Sequence, residues 1–144
     1  MLANGKYAFQ NIKYLNNVYI NGNKQDTIEY KYNFNQTNNF VELIWDDNIN
    51  SSECMFRKCS NITEINLSNF NTSQVKSMSY MFSRCPSLIS LDLSNFNTSQ
   101  VTNMRSMFYN CSSLTSLNLS NFNTSQVTHM NNMFYYCSNL EYII

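Results

Sequence analysis

At 144 residues and 16.9 kDa the chain fits one domain or one repeat array and leaves no room for a multidomain enzyme. Nine basic residues balance nine acidic ones and only 12% of residues are charged, which argues against an electrostatic nucleic-acid binder because no basic stripe is evident for phosphates. With 43% hydrophobic residues, ten Phe and ten Tyr the chain can bury a core, and with two Gly and one Pro it must make many of its turns from its 26 Asn.

The start, Met1 to Gln10, lacks the apolar stretch of a secretory leader, and no run approaches the roughly 18 apolar residues of a membrane span. Direct membrane insertion is not expected, and any secretory signal or anchor would lie outside this chain. Within 1–40, Val18-Tyr19-Ile20, then Asn21-Gly22-Asn23, then Ile28, Tyr30, Tyr32 and Phe34 alternating with Glu29, Lys31 and Asn33 predict a β-hairpin with an irregular loop. This segment is expected to cap the remainder of the chain.

From residue 41 onward the sequence repeats. Cys59, Cys85, Cys111 and Cys137 are 26 positions apart, and Leu67/Leu93/Leu119, Phe70/Phe96/Phe122, Val75/Val101/Val127, Met78/Met104/Met130, Met81/Met107/Met133 and Phe82/Phe108/Phe134 keep the same step. The octapeptide Ser-Asn-Phe-Asn-Thr-Ser-Gln-Val recurs unchanged at 68–75, 94–101 and 120–127. The units are 60–85, 86–111, 112–137 and a partial 138–144. Residues 41–59 read as a degenerate capping unit. There Ile49, Met55 and Phe56 match Val75, Met81 and Phe82, but Val41–Trp45 replaces the strand and corner.

Inside one unit the period changes. Leu91 and Leu93 alternate with Ser90, Asp92 and Ser94, the pattern of a short strand with one buried face. Val101, Met104, Met107, Phe108 and Cys111 then form one stripe of a helix or of tight helical turns. Between them Asn97 or Thr98 can cap the first turn, and Phe96 plugs the corner. Neither element can bury its apolar side alone, so stacking is required. The expected fold is an α/β repeat, a leucine-rich-repeat-like right-handed solenoid with a parallel sheet on one face, short helices on the other and an N-terminal β-hairpin cap.

The chemistry-bearing residues do not assemble into an engine. The cysteines fall one per unit, without the clustered pairs a zinc site needs, and read as a buried column of small side chains closing each helix. Cys54 shares its column with Tyr80, Ser106 and Asn132 and is the expected exposed thiol. His129 is the single histidine, its equivalents are Ser77 and Asn103, and no nucleophile keeps a fixed spacing from it. No catalytic residue, cofactor or metal is expected. Asn-x-Ser/Thr sequons at Asn71, Asn97 and Asn123 are expected to form hydrogen-bonded ladders between units rather than to carry sugar.

The motif running from Leu91 to Cys111, Leu-Asp-Leu-Ser-Asn-Phe-Asn-Thr-Ser-Gln-Val-Thr followed by Met-x-x-Met-Phe-x-x-Cys, resembles the 26-residue variant of the BspA family of leucine-rich-repeat surface proteins, and the likeness covers the chain from Leu43 onward. The resemblance implies a non-enzymatic adhesion or protein-recognition module at a cell surface or outside the cell. The alternative is a structural repeat segment of a larger assembly. The expected partner is a protein or a glycan, not nucleic acid. Self-association is further expected through the uncapped edge at Leu140–Ile144. The expected binding columns are Glu64/Ser90/Ser116/Tyr142, Asn66/Asp92/Asn118 and Ser68/Ser94/Ser120 on the outward side of the strands. A competing aromatic patch consists of Tyr109, Tyr135 and Tyr136.

Overall fold

The computed structural model describes residues 6–8, 15–27, 31–33, 41–45 and 49–144. Ile28, Tyr30 and Phe34 of the expected hairpin lie outside them, and the described part of that arm, Lys31–Asn33, pairs with Lys6–Ala8 rather than with Val18–Ile20. Strand β1 (Lys6–Ala8) pairs antiparallel with β4 (Lys31–Asn33), setting Tyr7 opposite Tyr32. Strand β2 (Leu15–Ile20) turns into β3 (Asn23–Lys24) through Asn21 and Gly22, whose φ angles are 50° and 81°. Two successive positive φ values match the right-handed twist of a tight hairpin, and Asn-Gly is the pair that reaches them at least cost. The other edge of β2 pairs antiparallel with β5 (Val41–Trp45), from Leu15↔Trp45 to Ile20↔Val41, with a register shift between Leu15 and Asn17.

Trp45 joins this sheet to the repeats. Its ring meets Phe56 edge-on at 6.3 Å and Phe70 edge-on at 5.7 Å. Two phenylalanine columns run on from there through successive repeats. Phe56, Phe82, Phe108 and Phe134 stack at 5.6 Å per step, within 6° of parallel. Phe70, Phe96 and Phe122 follow at 6.0 and 6.4 Å. Around them Val75, Met78, Met81, Leu88, Val101, Met104, Met107 and Leu114 are buried in one continuous core. Each such side chain contributes about 1.5–3 kcal/mol when removed from water.

The expected helix-bearing solenoid is overturned. Among the described residues there is no helix; short strands in separate small sheets alternate with long runs of turns. Backbone geometry gives the reason. Cys54, Lys58, Tyr80, Arg84, Ser106, Asn110, Asn132 and Tyr136 all have φ between 52° and 64°, two of them in every repeat and four residues apart. A left-handed residue breaks a right-handed helix, so the segments 52–59, 78–85, 104–111 and 130–137 become chains of tight turns.

Hydrogen bonding in these segments alternates accordingly. Met81 and Ser83 donate back three residues, to Met78 and Tyr80, within their own repeat. Met78, Tyr80, Phe82 and Arg84 donate forward to the carbonyls of Asn103, Arg105, Met107 and Tyr109 in the next repeat. Holding a non-glycine residue left-handed costs about 1–2 kcal/mol, whereas each bond returns about 0.5–1.5 kcal/mol net. Four bonds across each junction therefore offset two strained residues. Parallel bridges Ser51↔Ser77, Ser77↔Asn103 and Asn103↔His129 carry this ladder through all the repeats.

The expected continuous parallel sheet is also absent. Strand β6 (Glu64–Ile65) pairs in parallel with β7 (Ser90–Leu91), and β8 (Ser116–Leu117) with β9 (Tyr142–Ile143), but the β7 and β8 pairs form two separate sheets. The unbroken inter-repeat bonding thus lies on the side read as helical. Nothing in the structure explains why β7 and β8 do not pair.

Corner residues complete the lock between repeats. Thr72 Oγ1 donates to the Asn97 carbonyl at 3.1 Å and accepts the Asn97 N–H at 2.8 Å. Thr98 does the same with Asn123, at 3.1 and 2.7 Å. The sequon residues Asn71, Asn97 and Asn123 do not use their side chains between repeats; each Oδ1 instead accepts the N–H two residues on, at 3.0 Å. The side-chain ladder belongs to their neighbours. Asn95 Nδ2 donates to Ser68 at 2.8 Å, and Asn121 Nδ2 to the carbonyls of Leu93, Ser94 and Phe96 at 2.9–3.1 Å.

Candidate binding surface

The strand segments present an alternating face. Leu67, Leu93 and Leu117 point into the core, while Glu64, Asn66, Ser68, Ser90, Asp92, Ser94, Asn118, Ser120 and Tyr142 are exposed and Ser116 is half-buried. The pairs Glu64↔Ser90 and Ser116↔Tyr142 stand in register across β6–β7 and β8–β9.

Part of this surface is already committed to local turns. The Oδ1 atoms of Asn66, Asp92 and Asn118 accept the N–H of Ser68, Ser94 and Ser120 at 3.0, 2.9 and 3.0 Å, and Ser120 Oγ donates to Asn118 Oδ1 at 2.7 Å. These bonds hold the side chains in one orientation. The bonds from Ser94 also keep the Asp92 carboxyl below the ordinary carboxylate range, so it stays anionic.

The ten sequence-derived residues do not form one continuous site. Ser90, Asp92, Ser116 and Asn118 come together with Leu91 around a shallow cleft of about 340 Å³ where β7 and β8 fail to pair. Glu64, Asn66 and Ser68 line a larger cleft of about 740 Å³, whose opposite wall is β5 with Glu42, Leu43 and Trp45. Sequence reasoning missed the larger cleft because β5 and β6 come from segments with different periodicity, and only folding brings them face to face. Tyr142 stands apart on the last strand and is 57% exposed. The aromatic patch is real as a cluster: Tyr109 stacks on Tyr135 at 5.7 Å, and Tyr136 meets Tyr135 edge-on at 4.4 Å.

None of the five cysteines is in a disulfide. Cys85, Cys111 and Cys137 donate to the carbonyls of Phe56, Phe82 and Phe108 in the preceding repeat at 3.0, 3.1 and 3.0 Å. The column therefore needs a small side chain that carries a donor, which alanine or valine would lack. Burial, and next the neighbouring thiols, push the Cys85 and Cys111 thiols far above the ordinary range. Cys54, expected to be exposed and reactive, is half-buried beside Arg57. Burial outweighs the guanidinium, so its thiol is also raised rather than activated. Among the described residues no three His, Cys, Asp or Glu side chains gather as metal ligands would.

Comparison with curated proteins and with solved structures returned no match. A family model does match, over residues 3–88 and again over the overlapping span 50–144. The chain belongs to the family described as "Mycoplasma protein of unknown function, DUF285".

Proposed function

We propose that this protein is a non-enzymatic recognition module of the BspA-like surface type, which binds an extended protein or glycan along its strand side. The observation that carries the reading is the cleft of Ser90, Asp92, Ser116 and Asn118, where two consecutive repeats offer oriented hydroxyl, amide and carboxylate groups beside the facing edges of β7 and β8, which do not pair with each other. Groups already fixed by local bonds lose little freedom on binding, which suits recognition of a long ligand by many weak contacts. Strand gaps also offer backbone donors and acceptors to an extended chain. An adhesive role at a cell surface follows from the resemblance of the Leu91–Cys111 motif, and the ligand would be displayed by another cell or by its matrix.

The test is a binding screen against peptide and glycan arrays, followed by Asp92→Lys/Asn118→Lys. Binding is expected to weaken at least tenfold, about 1.4 kcal/mol, with the fold retained and the melting temperature lowered only slightly, because both side chains are exposed and only their local bonds to Ser94 and Ser120 are lost. If Tyr109→Ala/Tyr135→Ala abolishes binding and the lysine variant does not, the site lies on the turn side.

A further inference from the structure

The balanced net charge hides a segregation of charge between the two flanks of the repeats. The turn segments, 49–59, 76–85, 102–111 and 128–137, contain Arg57, Lys58, Lys76, Arg84 and Arg105, with Glu53 their single carboxylate. The strand segments, 60–67, 86–93, 112–119 and 138–144, contain Glu64, Asp92 and Glu141 and neither Lys nor Arg. Arg57 is half-buried, whereas Lys58, Lys76, Arg84, Arg105, Glu64, Asp92 and Glu141 are exposed. Stacking lines up the segments of each kind, so one flank is cationic and the other anionic. A count over the whole chain cannot reveal this, which is why the sequence shows no basic stripe.

Two of the cations are held on an aromatic ring, with no carboxylate bound to them among the described residues. Arg57 and Arg105, from the repeats on either side of Tyr80, place their guanidinium carbons 5.1 and 5.8 Å from its ring centroid. Arg57 Nε is buried and lacks a hydrogen-bond partner. Guanidinium groups held on an aromatic face keep their outward N–H donors aimed, a geometry suited to carboxylate capture. On the turn flank Lys58 and Arg84 occupy equivalent positions one repeat apart, and on the strand flank Glu64 and Asp92 lie on or next to the paired strands β6 and β7, which neighbour each other at about 4.8 Å.

We propose that a second copy of this chain is the occupant of the turn flank, its strand-side carboxylates Glu64 and Asp92 meeting the Arg57 and Arg105 pair on Tyr80 and the exposed Arg84. The contact is heterologous, side by side, and can extend from copy to copy. A second copy is favoured because its own strand flank has exposed carboxylates of the required sign and no Lys or Arg to repel the turn flank. The Tyr80 ring, approached by two guanidiniums, is poorly placed to stack nucleobases. The inference is independent of the recognition reading, although a ligand on Asp92 would compete with the neighbouring copy.

Sedimentation velocity on the full chain, at about 20 mM and about 500 mM salt, tests it. Association should appear at low salt and weaken at least tenfold at high salt. Arg57→Glu/Arg105→Glu and Glu64→Lys/Asp92→Lys should each sediment as monomers at low salt, whereas an equimolar mixture of the two variants should associate again. Arg84→Glu/Arg105→Glu, exposed at both positions, serves if the Arg57 substitution impairs folding. A wild-type chain that stays monomeric at low salt overturns the proposal, as does association indifferent to salt and to both charge reversals. Binding of heparin by a wild-type monomer that never self-associates would also overturn it and assign the flank to a foreign polyanion.

Discussion

Residues 94–101 and 120–127 have the same eight side chains in the same order, yet they live in different environments. Val101 and Phe96 are buried and Thr98 is 1% exposed, whereas Val127 and Phe122 are half-buried and Thr124 is exposed. The difference lies in what stacks on them. Residues 94–101 have 120–127 above them, and Thr98 is bonded to Asn123; Thr124 has no such neighbour among the described residues. Burial here is a property of the junction between repeats more than of the residues themselves, as expected of a quasi-one-dimensional array.

That contrast is best broken with paired substitutions in one column. Leu93→Asn places an amide in a site that is 2% exposed and should destabilise by about 3 kcal/mol. Leu119→Asn, in a half-buried site, should cost about a third as much. Equal losses in urea unfolding would show that the repeats unfold with no local difference. Met104→Ala should cost about 2–4 kcal/mol by leaving a cavity, against less than about 1 kcal/mol for Met130→Ala, which is 43% exposed.

Thiol chemistry sharpens the same boundary. Cys137 should react with a disulfide reagent at least tenfold faster than Cys85 or Cys111, since the two inner thiols are buried and Cys137 is only half-buried. Mass spectrometry of partly labelled protein reads the order. Removing the Thr98 hydroxyl with Thr98→Val strands the Asn123 N–H and carbonyl and should cost about 1–2 kcal/mol, while Thr124→Val should change stability by no more than about 0.5 kcal/mol.

The smallest effect concerns pH. Because the Asp92 carboxyl is held below its ordinary range, its contribution to stability is present above the unfolded value and is lost as pH falls through the depressed folded one. Asp92→Asn, which copies Asn66 and Asn118 in the same column, should flatten that part of the acid limb. An unchanged limb in acid titrations would remove the role assigned to the Ser94 bonds.

Much of the repeat register was legible because the inward columns repeat the same chemistry. The inward positions, from Leu67 to Cys111, and the free, buried inner cysteines follow from period and residue type. The helix did not, and the cause is specific. Met78, Met81, Phe82 and Cys85 fall at helical spacing, but successive tight turns bring side chains to one side at nearly the same interval. The distinguishing information sat in the columns of Tyr80 and Arg84, where only Asn110 and Asn132 have the side chain that usually announces a left-handed residue. At the strand side the outward residues were recognisable by alternation, but the gap between β7 and β8 leaves no trace in the sequence, where both strands read Ser-Leu. The partnership of Val41–Trp45 with β2 is set by long-range pairing and lay equally beyond a local pattern.

The alternating ladder of the turn segments also decides how the molecule would yield to force. Each repeat is bonded to its neighbours by similar sets of parallel contacts, while Trp45 braces the stack at one end by gripping both phenylalanine columns. Tension applied along the stack would open one junction before passing to the next. Every 26 residues released would add roughly 90 Å of slack at about 3.5 Å per residue. Such a chain lengthens in instalments and can recoil by re-laying one repeat on the next, with the template for re-docking still standing on the braced side.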